Sequence, residues 1–320
     1  MIQAVVVGRI GVDFTPATPR TTLAAADSFS RAVGGFAGNI ATGLARLGIE
    51  TAVVSAVGDD GHGAHIRAFL ATEGIDTTSL VTHPVSRTQV AFFEAWPPDH
   101  FPVTFHRGVP APETQLTIAD VPLAVLAEAP AVVMSGSLLA EEPARSSVLA
   151  ILGRRRASRD SRPVSFTVLD LDWRPTLWER PGEAPALLGR AAALSDVLIG
   201  SDEEFAAAHL RPETDIDGGP AMIVLKHGPD GASLVTNGGR RSVAGIRVEV
   251  VAGTGAGDAL TAAFVAGLLR GLDPLVAVER GNAAGAIVAG RLMCSIAMPT
   301  PDEIDDLLAG RSVDPQAALS

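Results

Sequence analysis

The chain is poor in lysine, in cysteine and in long apolar runs, and each scarcity removes a class of function. Lys226 is the only lysine among 25 basic residues. A Walker A loop needs Gly-Lys-Ser/Thr, whereas Lys226 is followed by His227; a protein-kinase site would need its own strand lysine and an HRD loop, which is absent. Any ATP chemistry must therefore use another phosphate cradle. Cys294, the single cysteine, excludes an internal disulfide framework. With no base or orienting partner in view, it reads as a buried thiol and not as a nucleophile. No apolar run reaches the roughly 18 residues of a membrane span. The start MIQAVVVGRIG reads as a first strand with no basic segment ahead of it, so the expected location is the cytoplasm.

Basic charge is also scarce: 36 acidic residues against 25 basic ones give a net charge of −11. That balance speaks against a nucleic-acid or membrane partner and for a small molecule, with any anionic substrate met by a local basic pocket. With 320 residues and 47% hydrophobic content the chain can bury a large core. Apolar β-rich runs at 4–7, 51–57, 131–134, 165–169, 197–199 and 222–225 alternate with helical stretches at 39–47, 64–73, 144–156, 184–193 and 203–208. This rhythm predicts an α/β fold, a central mostly parallel sheet flanked by helices. Two segments break it, about 14–31, rich in Thr and Pro, and 88–107, with alternating apolar positions. They predict a small β-sheet lid over the carboxyl ends of the early strands, where open α/β sheets bind ligands. Phe92, Phe93 and Trp96 are expected to pack within it. A single domain is expected over 1–311 with these segments inserted, and a loose tail over 312–320.

The most informative stretch is Ala252-Gly253-Thr254-Gly255-Ala256-Gly257-Asp258, between a β-type run at 247–251 and a long small-residue helix at 259–269. Glycines at 255 and 257 let the backbone turn tightly, so that the free N–H groups of the helix's first turn face an anion at the positive end of its dipole. Gly255, Ala256 and Gly257 thus read as an anion hole fit for a phosphate. A carboxylate beside a phosphate is repelled unless it takes a proton from a hydroxyl attacking that phosphate, a role that suits Asp258. Taken alone, the tetrad fits equally an Asp capping a helix after a Gly-rich turn. A second cluster, Val33-Gly34-Gly35-Phe36-Ala37-Gly38-Asn39, opens another helix. Its paired glycines allow close approach of a ligand and Asn39 can donate to a hydroxyl, although an ordinary helix start also fits. Asp13, after Gly8-Arg9-Ile10-Gly11-Val12, is placed at the carboxyl end of the first strand; there a carboxylate suits paired sugar hydroxyls, or simply a turn.

Together these residues resemble the PfkB, or ribokinase-like, family of carbohydrate kinases over nearly the whole chain. Gly34-Gly35 through Gly48 is similar to the family's amino-terminal signature and Gly255-Ala256-Gly257-Asp258 to the core of its carboxy-terminal one. Gly58-Asp59-Asp60-Gly61-His62-Gly63 is similar to its Gly-x-Asp-x-x-Gly turn. Two signatures in the correct order, roughly 220 residues apart, are far more specific than either alone. The resemblance implies a ribokinase-like fold and an ATP- and Mg2+-dependent sugar kinase, with Asp258 as base and the 255–257 amides as anion hole. It further implies Asp13, Gly34, Gly35 and Asn39 on the sugar, Ser201, Lys226, Gly228, Gly231 and Asn282 along the nucleotide, and Glu204 holding Mg2+ through water.

Within the family, Asp170-Leu171-Asp172-Trp173-Arg174-Pro175-Thr176-Leu177-Trp178 is similar to the Asp-x-Asp-Tyr-Arg-Pro-x-x-Trp stretch of the 5-dehydro-2-deoxygluconokinases of inositol catabolism, with Trp173 in place of tyrosine. The related 2-keto-3-deoxygluconate kinases carry asparagine where Asp172 stands. Cys294 to Thr300 and Val224 to Gly231 match the first group too. Period-two alternation places Asp170 and Asp172 on one face. A sugar-acid substrate carries a carboxylate that arginine binds bidentately, and Arg107, in the lid segment, and Arg174 are candidates beside Asp172. Arg174 equally suits an ion pair with Asp170 or Asp172, or the transferring phosphoryl group. The resemblance points to the C6 hydroxyl of 5-dehydro-2-deoxy-D-gluconate as acceptor. Kinases of 2-keto-3-deoxygluconate, fructose, ribose or a nucleoside, and a sugar-sensing pseudokinase, are the alternatives.

Two departures matter. Ala252-Gly253 replaces the common Asp-Thr, removing a side chain tied in many members to a monovalent-cation site and putting a potassium requirement in question. Ser201 stands where the family's Asn-x-x-Glu motif has asparagine. Elsewhere, His62 and His65 lack a third ligand at a recognisable spacing, so no zinc site is expected. Arg154-Arg155-Arg156 reads as a solvated helix end. An exposed edge of the lid sheet would suit a homodimer.

Overall fold

Strand β1 (Ala4–Val7) is apolar at every position because both its faces are covered: Ala4 and Val6 join one buried cluster, Val5 and Val7 another. In the computed structural model, which describes residues 1–159, 165–216 and 219–314, this strand lies inside a nine-stranded sheet. Its parallel neighbours are β4 (Thr51–Gly58) and β8 (Ala131–Ser135). Beyond β4 lies β5 (Leu80–His83); beyond β8 come β9 (Phe166–Asp170), β10 (Val197–Ser201) and β11 (Met222–Lys226), then antiparallel β12 (Gly231–Thr236) and β13 (Gly239–Ala244). The chain leaves β1 toward β4 and later returns on the other side to β8. The carboxyl end of β1 is therefore a switch point, the usual ligand position of an open α/β sheet.

One face is covered by α1 (Gly35–Arg46), α2 (Gly61–Thr72), α7 (Ala256–Leu269), α8 (Pro274–Ala289) and α9 (Pro301–Leu308). The other is covered by α3 (Leu123–Glu128), α4 (Ala144–Ala157), α5 (Ala184–Leu194) and α6 (Asp202–Ala207). A separate four-stranded sheet, in the order β3-β2-β6-β7, is made by β2 (Gly11–Pro16), β3 (Phe29–Gly34), β6 (Val90–Phe93) and β7 (Val103–His106). Phe92 sits at its centre, stacked on Phe14 at 5.3 Å and meeting Phe29 edge-on at 5.8 Å, while Phe93 is buried with Ala32, Met293 and Cys294. Trp96 donates its indole N–H to Glu94. Among the described residues no helix is long and apolar enough to cross a membrane.

Two expectations fail for clear reasons. Residues 247–251 form no strand: the Val251 and Ala252 amides donate to the Ala289 carbonyl, at 2.8 and 3.1 Å, so the segment is bonded to the end of α8 and not to the sheet. Arg155, in the basic end of α4, is buried and not solvated. Its guanidinium donates to the carbonyls of Leu126, Ala129 and Phe166 and to Thr167, tying α4 to the loop after α3 and to β9. Of the expected tail, residues 315–320 lie outside the described residues.

Candidate active site

Helix α7 begins after Gly255, whose φ of +86° is a left-handed turn that disfavours any residue with a Cβ. Close pairing with α8 fixes this end: a Cβ on Gly285 would lie 3.0 Å from the Ala256 carbonyl oxygen. Asp258 stands in the first turn, and Asn39, from the second turn of α1, donates Nδ2–H to its Oδ2 at 2.7 Å across 219 residues of sequence. A Cβ on Gly257 would sit 3.5 Å from Lys226 Nζ. The sole lysine thus stands beside the turn, within van der Waals contact of a methyl group placed at 257. Lys226, the last residue of β11, pairs with both oxygens of Asp170 at 3.1 Å and with Glu204 at 3.6 Å; Thr261 adds a 2.8 Å hydrogen bond to Asp170.

Glu204 is held by a capping box at the start of α6: its backbone N–H donates to Ser201 Oγ at 3.2 Å while its Oε2 accepts from the Ser201 amide at 2.8 Å. Its Oε1 accepts from the Trp173 amide at 3.1 Å. Gly228 (φ +58°) and Gly231 (φ +103°) make the tight turn between β11 and β12, and Asn282, from α8, donates to the Ala244 carbonyl at the end of β13. Burial, then the charge of Asp172, push Asp258 from 3.8 to about 7, with Asp170 adding to the rise and Asn39 and Lys226 opposing it. Burial works against the Lys226 ammonium, yet Asp170, Glu204 and Asp258 together hold it above its ordinary range.

On the other side of Asp258 the structure differs from the sequence pattern. Asp13 does not end the first strand. The chain turns at 8–10, and Asp13 rides on β2 of the small sheet, opposite Ala32. A Cβ on Gly34 would fall 1.9 Å from Asp13 Oδ2, so this position is glycine because the carboxylate occupies the space a side chain would take. At Gly35, φ is +77°, and a Cβ there would press on the Arg9 carbonyl at 2.8 Å. Burial raises Asp13 to about 6, opposed by Arg9 and the Cys294 thiol. Cys294 is fully buried, and burial together with Asp13 and Asp258 keeps its thiol protonated.

The alternation assumed for Asp170 and Asp172 stops at the end of β9, because Asp172 has a φ of +38°. The two carboxylates have different partners. Asp170 takes Lys226 and Thr261, whereas Asp172 accepts from Ser135 Oγ at 2.6 Å and pairs with Arg9 through Oδ2 at 3.4 Å and with Arg174 through Oδ1 at 3.2 Å. Burial disfavours the Asp172 charge, but Arg174, Arg9 and Ser135 more than offset it and hold the carboxyl below its usual range. Arg174 also meets Glu204 at 3.6 Å. Arg107 is bound elsewhere, to buried Glu113 at 2.6 Å and Glu141 at 3.8 Å; among the described residues no hydrogen bond or ion pair joins it to Asp13, Asp172 or Asp258. His62 packs edge-on to Phe14 at 6.0 Å, and no cluster of three or more metal-binding side chains occurs among the described residues. Arg9, Ser135 and Thr261 were not anticipated. Thr261 lies three residues after Asp258 on one helical face and could have been found; Arg9 and Ser135 belong to no spacing.

Three comparisons with known proteins bear on what this arrangement serves. The profile of the pfkB family carbohydrate kinases matches residues 1–301. A 5-dehydro-2-deoxygluconokinase of Geobacillus thermodenitrificans is 33% identical over 319 residues, covering 96% of this chain and 93% of that protein. One from Photobacterium profundum is 32% identical over 326 residues, covering 98% and 96%. The crystal structure of a Vibrio cholerae fructokinase with fructose, ADP and calcium ion bound matches with a TM-score of 0.82 at 25% identity, over 96% of this chain and 99% of that one. The chain is a ribokinase-like phosphotransferase and belongs to the pfkB family of carbohydrate kinases.

Proposed function

We propose that the protein transfers the γ-phosphate of ATP to the terminal C6 hydroxyl of 5-dehydro-2-deoxy-D-gluconate, with Asp258 as base. The observation that carries this reading is the Asn39–Asp258 pair at the amino end of α7, a carboxylate raised to about 7 beside amides suited to a phosphate. The named relatives support the substrate, and the ADP-bound fructokinase supports a nucleotide in this fold.

The nucleotide would run along the turn at Gly228 and Gly231, beside Ser201 and Asn282, with its γ-phosphate at the 255–257 amides and Lys226. Asn39 occupies Oδ2 of Asp258 and leaves Oδ1 for the acceptor hydroxyl. Asp258 takes that proton as the oxygen attacks in line, and a pKa near 7 matches a base to neutral pH. The donors here are oxygens, which suit magnesium. Each Glu204 oxygen accepts one backbone N–H and faces a cation at 3.6 Å, Arg174 at Oε1 and Lys226 at Oε2, so this carboxylate would hold Mg2+ through water and not directly. The ion, when bound, supplies charge neutralisation on the phosphates. Ala252 offers no carboxylate to a monovalent cation, so no potassium requirement is expected. The small sheet would exclude water that could otherwise hydrolyse ATP. Its outer strands β3 and β7 have no further strand beside them among the described residues, an edge that would suit a homodimer; light scattering that finds only monomer at micromolar concentration removes that part.

The test is ATP consumption against 5-dehydro-2-deoxygluconate, 2-keto-3-deoxygluconate, ribose, fructose and adenosine. The highest kcat/KM is expected for the first. Preference for another member discards the substrate and keeps the base; no turnover on any favours a sugar-binding pseudokinase.

A further inference from the structure

Three buried polar atoms near the connection from β1 to β2 have no hydrogen-bond partner among the described residues: Arg9 Nε, Asn39 Oδ1 and Gln89 Oε1. Their residues are tied to one short piece of backbone. The Arg9 carbonyl accepts from the Ala37 amide, two residues before Asn39, and the Ile10 carbonyl accepts from Gln89 Nε2 at 3.0 Å. Buried polar groups are almost always satisfied, so a group of orphans at a switch point describes what a ligand must bring. Two are acceptors, which call for hydroxyl donors; the third is a donor on a cation, which calls for an anion. A polyhydroxy carboxylate offers both.

Arg9 is only 5% exposed, and its guanidinium lies 5.6 Å from the centre of the Phe105 ring of β7. Asp172 serves two arginines with separate oxygens, Oδ2 toward Arg9 and Oδ1 toward Arg174. The two arginines face different ends of the site. Arg174 meets Glu204, which also faces Lys226, at 3.6 Å, whereas Arg9 lies against the Phe105 ring of the small sheet. Arg174 therefore stands on the side of the reacting hydroxyl, and Arg9 beyond Asp172, toward the lid. A straight-chain acid phosphorylated at its terminal hydroxyl presents its carboxylate at the opposite end. Arg107 Nε is also without a partner, but its guanidinium is held by Glu113 and Glu141, and among the described residues nothing joins it to Asp13, Asp172 or Asp258. Asp172 is shared with Ser135 and Arg174, which leaves Arg9 a donor edge to offer.

We propose that Arg9 is the specificity-determining residue that binds the substrate's carboxylate, through its unpartnered Nε–H beneath Phe105. The proposal rests on the sugar-acid reading above and deepens it. The experiment compares kcat/KM for 5-dehydro-2-deoxygluconate and for its carboxamide, isosteric but uncharged, in the wild type and in Arg9→Met. Wild type is expected to prefer the acid by about 10- to 100-fold, the range for a charge-assisted hydrogen bond. In Arg9→Met that ratio should fall to within about 3-fold, by a rise in KM for the acid, and Arg9→Lys should recover part of it. Arg9→Gln, which keeps a donor toward Asp172, is read by the same ratio should the Met variant fail to fold. A wild type inactive on the acid overturns the substrate reading and this one together. A wild type that prefers the acid, with the preference intact in Arg9→Met or Arg9→Gln, overturns the Arg9 assignment alone.

Discussion

Asp258→Asn is expected to abolish turnover and, at the same time, to stabilise the fold. The carboxyl is raised from 3.8 to about 7, so the folded protein binds its proton far more tightly than the unfolded chain does. Below about pH 4 the group is protonated in both states and contributes nothing. Between pH 4 and 7 the unfolded chain loses the proton first, so folded stability falls as pH rises, and above about 7 the loss is constant. Three pKa units correspond to about 4 kcal/mol; partial access of water at the mouth of the site lowers this to about 2–4 kcal/mol. Asparagine is nearly isosteric, its carbonyl oxygen can still accept from Asn39, and it carries no charge to bury. At pH 8.5 the variant should therefore melt roughly 4–10 °C above the wild type, with the free-energy difference less than half as large at pH 5. The assay is paired thermal melting at the two pH values, with turnover measured in parallel. A variant no more stable at pH 8.5, a difference that does not shrink at pH 5, or turnover near the wild-type rate would each refute the reasoning.

The rate should report the same group: kcat/KM at saturating ATP is expected to rise about tenfold per pH unit below 7 and to level above it, a limb absent if Asp258 is not the base. Gly257→Ala replaces a helical glycine and should gain about 0.5–1 kcal/mol in stability. Its methyl enters the space beside Lys226 Nζ, so KM for ATP should rise and kcat fall; unchanged kinetics would remove the phosphate from that turn. Lys226→Met strips the cation from two buried carboxylates, Asp170 and Glu204, and is expected to cost about 3–5 kcal/mol in denaturant unfolding as well as turnover. Loss of activity at full stability would show that the lysine acts only on the nucleotide.

The parts of the site that follow from local backbone grammar were legible in the sequence. Gly255 and Gly257 announce a turn into a helix, and α7 starts directly after Gly255. Pattern failed where a side chain's fate depends on distant packing. Arg155 looks like its neighbours Arg154 and Arg156, yet only it faces the carbonyls of Leu126 and Ala129. Asp172 breaks the strand's alternation because Arg9 and Arg174 hold it from two sides, and neither contact is encoded by spacing. Arg9 was one arginine in a chain rich in them, and only its place between Asp172 and the Phe105 ring sets it apart. The apolar run at 247–251 resembled a strand because valines every second residue satisfy that pattern wherever their backbone finds its partners.

The hydrogen bond between Asn39 and Asp258 joins positions 219 residues apart, and the clamp around it spans as much: Arg46 donates to the Ile296 and Met298 carbonyls, and Ser295 to that of Val33. On the proposed mechanism, a chain still emerging from the ribosome would already carry β2 and β3, on the proposed sugar side, well before α7 brings the proposed base Asp258. Until then it could hold a sugar without spending ATP on it. Synthesis order alone thus acts as a safety catch, and a fragment ending before α7 should be silent as an ATPase however well its first half folds.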